Sequence, residues 1–150
     1  MKDNPFFIFF TGVILFCLDR WLKFEALYHW HTTVLLGGQF GWELLINRGI
    51  AFGLPFPSSF VIIFTIFVLG GLLYYLVRYF HSISLLARWA WWLVFVGAVS
   101  NLIDRITYGV TVDYWRLFSS IFNLADVLII TGFVLYFLAL KRPRCIFGGK

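Results

Sequence analysis

The sequence predicts a membrane protein, mainly α-helical, with four transmembrane helices and a small extracytoplasmic β-cradle between helices 1 and 2. Three observations carry that prediction. Of the 150 residues 61% are hydrophobic and only 13% charged, with a mean hydropathy of +0.89, which is far outside soluble composition. Four apolar runs are long enough to cross a hydrocarbon core about 30 Å thick. The segment between the first two runs is instead broken repeatedly by glycine and proline, as turns and short strands require. The length fits one domain over residues 1–150.

The first run, over about residues 5–24, is apolar until Asp19, Arg20 and Lys23. Leu15-Phe16-Cys17-Leu18 is too bulky for the small-residue cut site of a secretory leader, so this run is expected to stay as a helix. Asp19 and Lys23 stand four residues apart, share a face and can pair near the helix end. From about 25 to 57 come Gly37-Gly38, Gly41, Gly49, Gly53, Pro55 and Pro57, the breakers expected of a small β segment. Trp30, Phe40, Trp42, Phe52 and Phe56 would hold it against the membrane surface, and Asn47-Arg48-Gly49 reads as a turn. The second helix spans about 58–80 and is uncharged until Arg78. Trp89, Trp91 and Trp92 open the third, at about 88–106, as an aromatic belt. A connection of mixed character, with Asp113, Trp115 and Arg116, leads to the fourth helix at about 123–140, which Lys141-Arg142-Pro143-Arg144 ends.

Basic residues set the orientation. Lys2, Arg78, Arg88, Lys141, Arg142, Arg144 and Lys150 fall on one side, against Arg20, Lys23, Arg48, Arg105 and Arg116 on the other. The first side is the cytoplasm by the positive-inside rule, so both termini are expected there. Six of the seven acidic residues then face outward. The net charge of +5 is not gathered into a basic stripe, which argues against a nucleic-acid partner. Cys17 and Cys145 are too few for a disulfide framework or a metal cluster.

Asp104, Asp113 and Asp126 lie between Gly97 and the start of the fourth helix, and carboxylates at the ends of apolar helices mark a functional site by default. Asn101, Asp104 and Arg105 share a face by spacing, as do Asn123 and Asp126. Plainer roles compete. Asp104 can pair with Arg105 or a neighbour, and Asn123 with Asp126 can cap the fourth helix; for that pair, capping and catalysis weigh equally. Asp113 lies thirteen residues before Asp126, and the short connection can return it to the head of that helix. Two such carboxylates would share a proton and activate a water, as in aspartic proteases. Ser119 and Ser120 near His29 and His31 form no motif for nucleophilic catalysis. Zinc lacks ligands at the right spacing, although the three aspartates could hold a divalent cation through oxygen. A small transporter is the non-enzymatic alternative, but Thr65 and Thr131 are too sparse to make a polar pathway.

These motifs, in order along nearly the whole chain, resemble the lipoprotein signal peptidase (signal peptidase II) family of bacterial membrane aspartyl proteases. They are Asp19 with Lys23, Asn47-Arg48-Gly49-Ile50-Ala51-Phe52-Gly53, Gly97-Ala98-Val99-Ser100-Asn101-Leu102-Ile103-Asp104-Arg105, Gly109-Val110-Thr111-Val112-Asp113-Tyr114 and Phe122-Asn123-Leu124-Ala125-Asp126. The resemblance implies that Asp113 and Asp126 are the catalytic pair, and that the signal peptide of a diacylglyceryl-modified prolipoprotein is cut before its lipidated cysteine. It further implies that Asp19, Lys23, Asn47, Gly49, Asn101, Asp104, Arg105 and Asn123 bind substrate or support the pair. It implies no metal or other cofactor, and a monomer among the lipids of the bacterial cytoplasmic (inner) membrane with its active site facing outward. One departure is Ser100, where the family usually has glycine; it bears on local packing.

Overall fold

The computed structural model describes residues 4–30, 32–49 and 57–141. The Ile50–Gly53 part of the second motif, His31, Pro55, Phe56 and the basic residues Lys2, Arg142, Arg144 and Lys150 lie outside the described residues, as does Cys145. The elements run α1 (Pro5–Tyr28), β1 (Val34–Leu36), β2 (Phe40–Asn47), α2 (Ser58–Tyr79), α3 (Leu85–Tyr108), β3 (Thr111–Leu117), β4 (Ser120–Phe122) and α4 (Leu124–Lys141). All four helices have the length and hydropathy to span a membrane.

Local chemistry sets the helix ends. Asn4 accepts the Phe6 N–H at 3.1 Å with Pro5 as the first helical residue, a start that proline tolerates because its missing N–H has no partner there anyway. α1 runs to Tyr28, so Glu25–Tyr28, expected in the β segment, are helical. Ser84 caps α3 by accepting the Ala87 N–H at 3.3 Å, which places its start three residues ahead of Arg88. α3 ends at Gly109, whose φ of 73° is a left-handed conformation that glycine adopts without a Cβ penalty. That turn delivers the chain straight into β3.

The connection from Ile106 to Phe122 holds two strands of an antiparallel sheet in the order β1-β2-β3-β4. The cradle is therefore built from two stretches of sequence and not only from the one between the first two helices. The first four residues of β3 are all buried, so although Thr111-Val112-Asp113-Tyr114 alternates polar with apolar, both faces are covered and the polar face does not meet solvent as the alternation would suggest. Leu45 lies opposite Asp113 and Asn47 opposite Thr111, with a register shift between Trp42 and Leu45.

Ala26 of α1, Leu93 and Val96 of α3, Val112 and Tyr114 of β3, and Leu124 and Leu128 of α4 form the main core. A smaller cluster of Leu72, Leu76 and Val94 holds α2 to α3. α3 and α4 lie close enough that a Cβ on Gly97 would sit 2.4 Å from the Ala125 carbonyl oxygen, the approach that small residues allow between membrane helices. Phe6, Phe7, Ile63, Phe67, Val77, Ile130 and Phe137 are exposed, as lipid-facing positions should be.

Candidate active site

The site forms where the sheet end of the bundle brings α1, α3, β3 and the start of α4 together. α4 begins among side chains from other elements. A helix leaves its first four N–H groups without internal partners, and here each finds one. Leu124 N donates to the Tyr114 hydroxyl at 3.0 Å, Ala125 N to Asp19 Oδ1 at 3.1 Å and Asp126 N to Asn123 Oδ1 at 2.9 Å, while Val127 N makes the first internal bond of the helix, to the Asn123 carbonyl at 3.4 Å. Asn123 N donates back to Asp126 Oδ2 at 3.3 Å, which makes a reciprocal capping box. The capping weighed from the sequence is thus real, and it orients the Asp126 carboxylate.

Asn123 also reaches Asp113. Its Nδ2 donates to Asp113 Oδ1 at 2.6 Å and approaches Asn101 Oδ1 at 3.2 Å and the Val112 carbonyl at 3.3 Å. The other oxygen of Asp113 accepts from Asn47 Nδ2 at 2.9 Å, while Asn47 Oδ1 accepts the Gly49 N–H at 3.0 Å and closes the turn. Asn101 Nδ2 donates to Asp126 Oδ1 at 2.8 Å. One asparagine therefore touches both carboxylates, and each carboxylate has a second amide donor or backbone N–H of its own. Burial pushes the Asp113 carboxyl up to about 6, with the charge of Asp126 adding to the rise and the Asn47 and Asn123 bonds opposing it.

Beside the two aspartates lies a buried ionic cluster. Lys23 is 1% exposed and Asp19 and Asp104 are 0% exposed, so the pairing expected at a helix end is fully buried. Lys23 Nζ stands 2.7 Å from Asp104 Oδ2, 3.1 Å from Asp19 Oδ2 and 2.8 Å from Asn101 Oδ1, which uses all three ammonium protons. Asp104 also pairs with Arg20 and accepts the Val112 N–H at 3.2 Å. Two cations face two anions, which offsets the cost of burying charge. The partner of Asp104 is thus Arg20 with Lys23 and not Arg105, because successive helix residues diverge. Half-buried Arg105 lies in the electrostatic field of Asp126, Asp113 and Asp104.

With its oxygens committed to Lys23, Arg20 and a backbone N–H, Asp104 does not join the other two aspartates in the three-carboxylate cation site considered from the sequence. Among the described residues no group of three or more His, Cys, Asp or Glu is arranged to hold a metal ion.

The profile of the family described as signal peptidase (SPase) II matches residues 11–142. The chain belongs to the signal peptidase II family. It is a membrane protease. Among curated signal peptidase II relatives, the lipoprotein signal peptidase of Fusobacterium nucleatum is 36% identical over 140 residues, covering 89% of this chain and 84% of that protein. That of Symbiobacterium thermophilum is 34% identical, covering 87% and 89%, and that of Clostridium novyi 28%, covering 90% and 95%. Two solved bacterial membrane enzymes share the fold. One has a TM-score of 0.81 at 24% identity, covering 95% of each chain. The other has a TM-score of 0.79 at 25% identity, covering 93% of this chain and 96% of that one.

Three side chains of this signal peptidase II site were given no part in it from the sequence, where Ser100 was assigned to local packing and Tyr114 and Arg20 to no role. Tyr114 is fully buried; burial first, and the charge of Asp19 second, push its hydroxyl above the usual range, so it stays protonated and donates to Asp19 Oδ1 at 3.0 Å. Arg20 neutralises Asp104, and Ser100 donates to Asp19 Oδ2 at 2.6 Å. Each neighbours a motif residue that was singled out, and adjacency to Asp113, Asp19 and Asn101 was the available signal.

Proposed function

We propose that the chain is an aspartyl endopeptidase that removes signal peptides from diacylglyceryl-modified prolipoproteins. It cuts before the lipidated cysteine by activating a water between Asp113 and Asp126. The observation that carries this reading is the single amide of Asn123 bonded to Asp113 while its backbone and side chain cap Asp126. That arrangement ties both carboxylates to one asparagine at the mouth of the bundle. Two such groups hold one proton between them, so one accepts a proton from water while the other gives one to the leaving group. The raised pKa of Asp113, about 6, keeps a proton available near neutral pH, and the pair titrates as a unit. The names of the relatives support a lipoprotein substrate.

Asp19, Lys23, Asn47, Gly49, Asn101, Asp104 and Asn123 support the pair, and Arg105 faces it as a cation for substrate. The single domain works as a monomer among membrane lipids, with both termini in the cytoplasm and the sheet outside, where an acyl-anchored substrate presents its scissile bond within reach of water. The test is cleavage of a lipidated precursor by Asp113→Asn and Asp126→Asn in proteoliposomes with EDTA present. Wild type should cleave and each variant should lose at least about a thousandfold in rate. Near-normal turnover in either variant would remove the dyad, and loss of wild-type cleavage in EDTA would favour metal chemistry.

A further inference from the structure

We infer that Ser100 is a positioning residue for Asp126, acting through Asp19, Lys23 and Asn101. The inference rests on the reading of Asp113 and Asp126 as the catalytic pair. A carboxylate with no exposure needs a donor at each acceptor position, and Asp19 has four. Oδ1 takes the Tyr114 hydroxyl and the Ala125 N–H, and Oδ2 takes the Ser100 hydroxyl at 2.6 Å and the Lys23 ammonium at 3.1 Å. The serine makes the shorter of the two bonds to Oδ2. Lys23 correspondingly sits nearer to Asp104 and Asn101, at 2.7 and 2.8 Å, than to Asp19.

That displacement sets how Asn101 is turned, with Lys23 the nearer of two donors to its carbonyl oxygen and Asn123 Nδ2 the other, at 3.2 Å. An ammonium has only protons to offer, so it draws the Asn101 carbonyl oxygen toward itself. The amide nitrogen must then point the other way, to Asp126 Oδ1 at 2.8 Å. Without the Ser100 hydroxyl, Oδ2 of Asp19 keeps only Lys23, and the attraction of opposite charges away from water is strong. The ammonium moves toward Asp19, its hold on Asn101 loosens, and the Asn101 carbonyl keeps only the Asn123 amide at 3.2 Å, so the amide that orients Asp126 is held less firmly. Ser100 is itself held at the right height, because its backbone carbonyl accepts from Arg20 Nη1 at 3.3 Å. α1 therefore grips Ser100 through two successive residues.

The experiment measures kcat, KM and Tm for the full-length protein in proteoliposomes on a lipidated precursor peptide. Ser100→Ala keeps the Cβ and the small volume but has no donor. Its kcat should fall about tenfold, with KM within about twofold of wild type, as for a loss felt in the transition state. Ser100→Cys, a weak donor of similar shape, should lose severalfold in kcat, and it carries the test if the alanine variant accumulates poorly. Wild-type kcat in either variant, or a change confined to KM or Tm, would overturn the inference. Asp126→Asn in the same assay separates the two levels. Full activity there defeats the dyad itself, whereas a dead Asp126→Asn beside a fully active Ser100→Ala defeats only the role of Ser100.

Discussion

α2 and α4 are both apolar through most of their length and both long enough to span, yet they are fastened in opposite ways. α4 has each of the four N–H groups at its start, from Asn123 to Asp126, bonded to partners on α1, on β3 and in its own capping box. α2 starts after Pro57 without a side-chain cap among the described residues, and Ser58 donating to the Gly109 carbonyl at 2.6 Å ties its first turn. Its buried residues are Leu69, Leu72 and Leu76, and beside them an apolar cavity of about 360 Å³ opens between α1, α2 and α3. Apolar burial is non-directional and tells a helix only which face to turn inward. Hydrogen bonds to fixed donors and acceptors set height and rotation as well, and Asp126 sits on the helix that has them.

The strongest test of this contrast is Lys23→Met. It leaves Asp19 and Asp104 buried with Arg20 as the remaining cation, and breaking such a cluster costs about 3–5 kcal/mol. Thermal unfolding in detergent should show that loss, and precursor cleavage should fall at least about a hundredfold as Asn101 and Asp126 shift. A stable, active Lys23→Met would mean that the polar end is held by packing after all.

Asp113→Asn gives a smaller effect of the opposite sign. The Asp113 carboxyl is held at about 6 against an ordinary 3.8, so the folded state favours its protonated form. That contribution is complete below about pH 4 and is lost as the pH rises through 6. A side chain that cannot ionise escapes the loss. Asp113→Asn should therefore unfold at a higher temperature than wild type at pH 7.5, by up to about 3 kcal/mol, and converge with it near pH 4. Equal stabilities at both pH values would place Asp113 in a wetter setting than its burial implies.

On the α2 side, Leu72→Ala should cost about 2 kcal/mol of stability and leave kcat unchanged. A matching fall in kcat would show that α2 sets the site too.

What the sequence made legible follows the same division. Hydropathy reveals spans, so the four helices could be read directly, and the i, i+4 spacing of Asp19 and Lys23 was enough to pair them. The alternatives weighed for Asn123 and Asp126 were not exclusive, since the cap is also what aims the carboxylate. Pairings between elements could not be read. The strand around Asp113 is buried on both faces, which its polar–apolar alternation does not reveal, and its place opposite Leu45 is set by a sheet joining segments some seventy residues apart. Arg20 on Asp104 and Ser100 on Asp19 bridge more than eighty residues each, and no local spacing encodes such contacts. Ser100 looked like a packing detail because its hydroxyl gains meaning only once α1 is beside it.

The way α4 is anchored also has a consequence for biogenesis. The carboxylate of Asp19 and the hydroxyl of Tyr114 are oriented by N–H groups at residues 124 and 125, which leave the ribosome about a hundred residues after Asp19. Until the fourth span is inserted, the half-built chain lacks Asp126 and the cap that would orient it. On the proposed pairing of Asp113 with Asp126, proteolytic competence arrives only with the fourth span, and a chain stalled before it is inert toward its neighbours in the membrane.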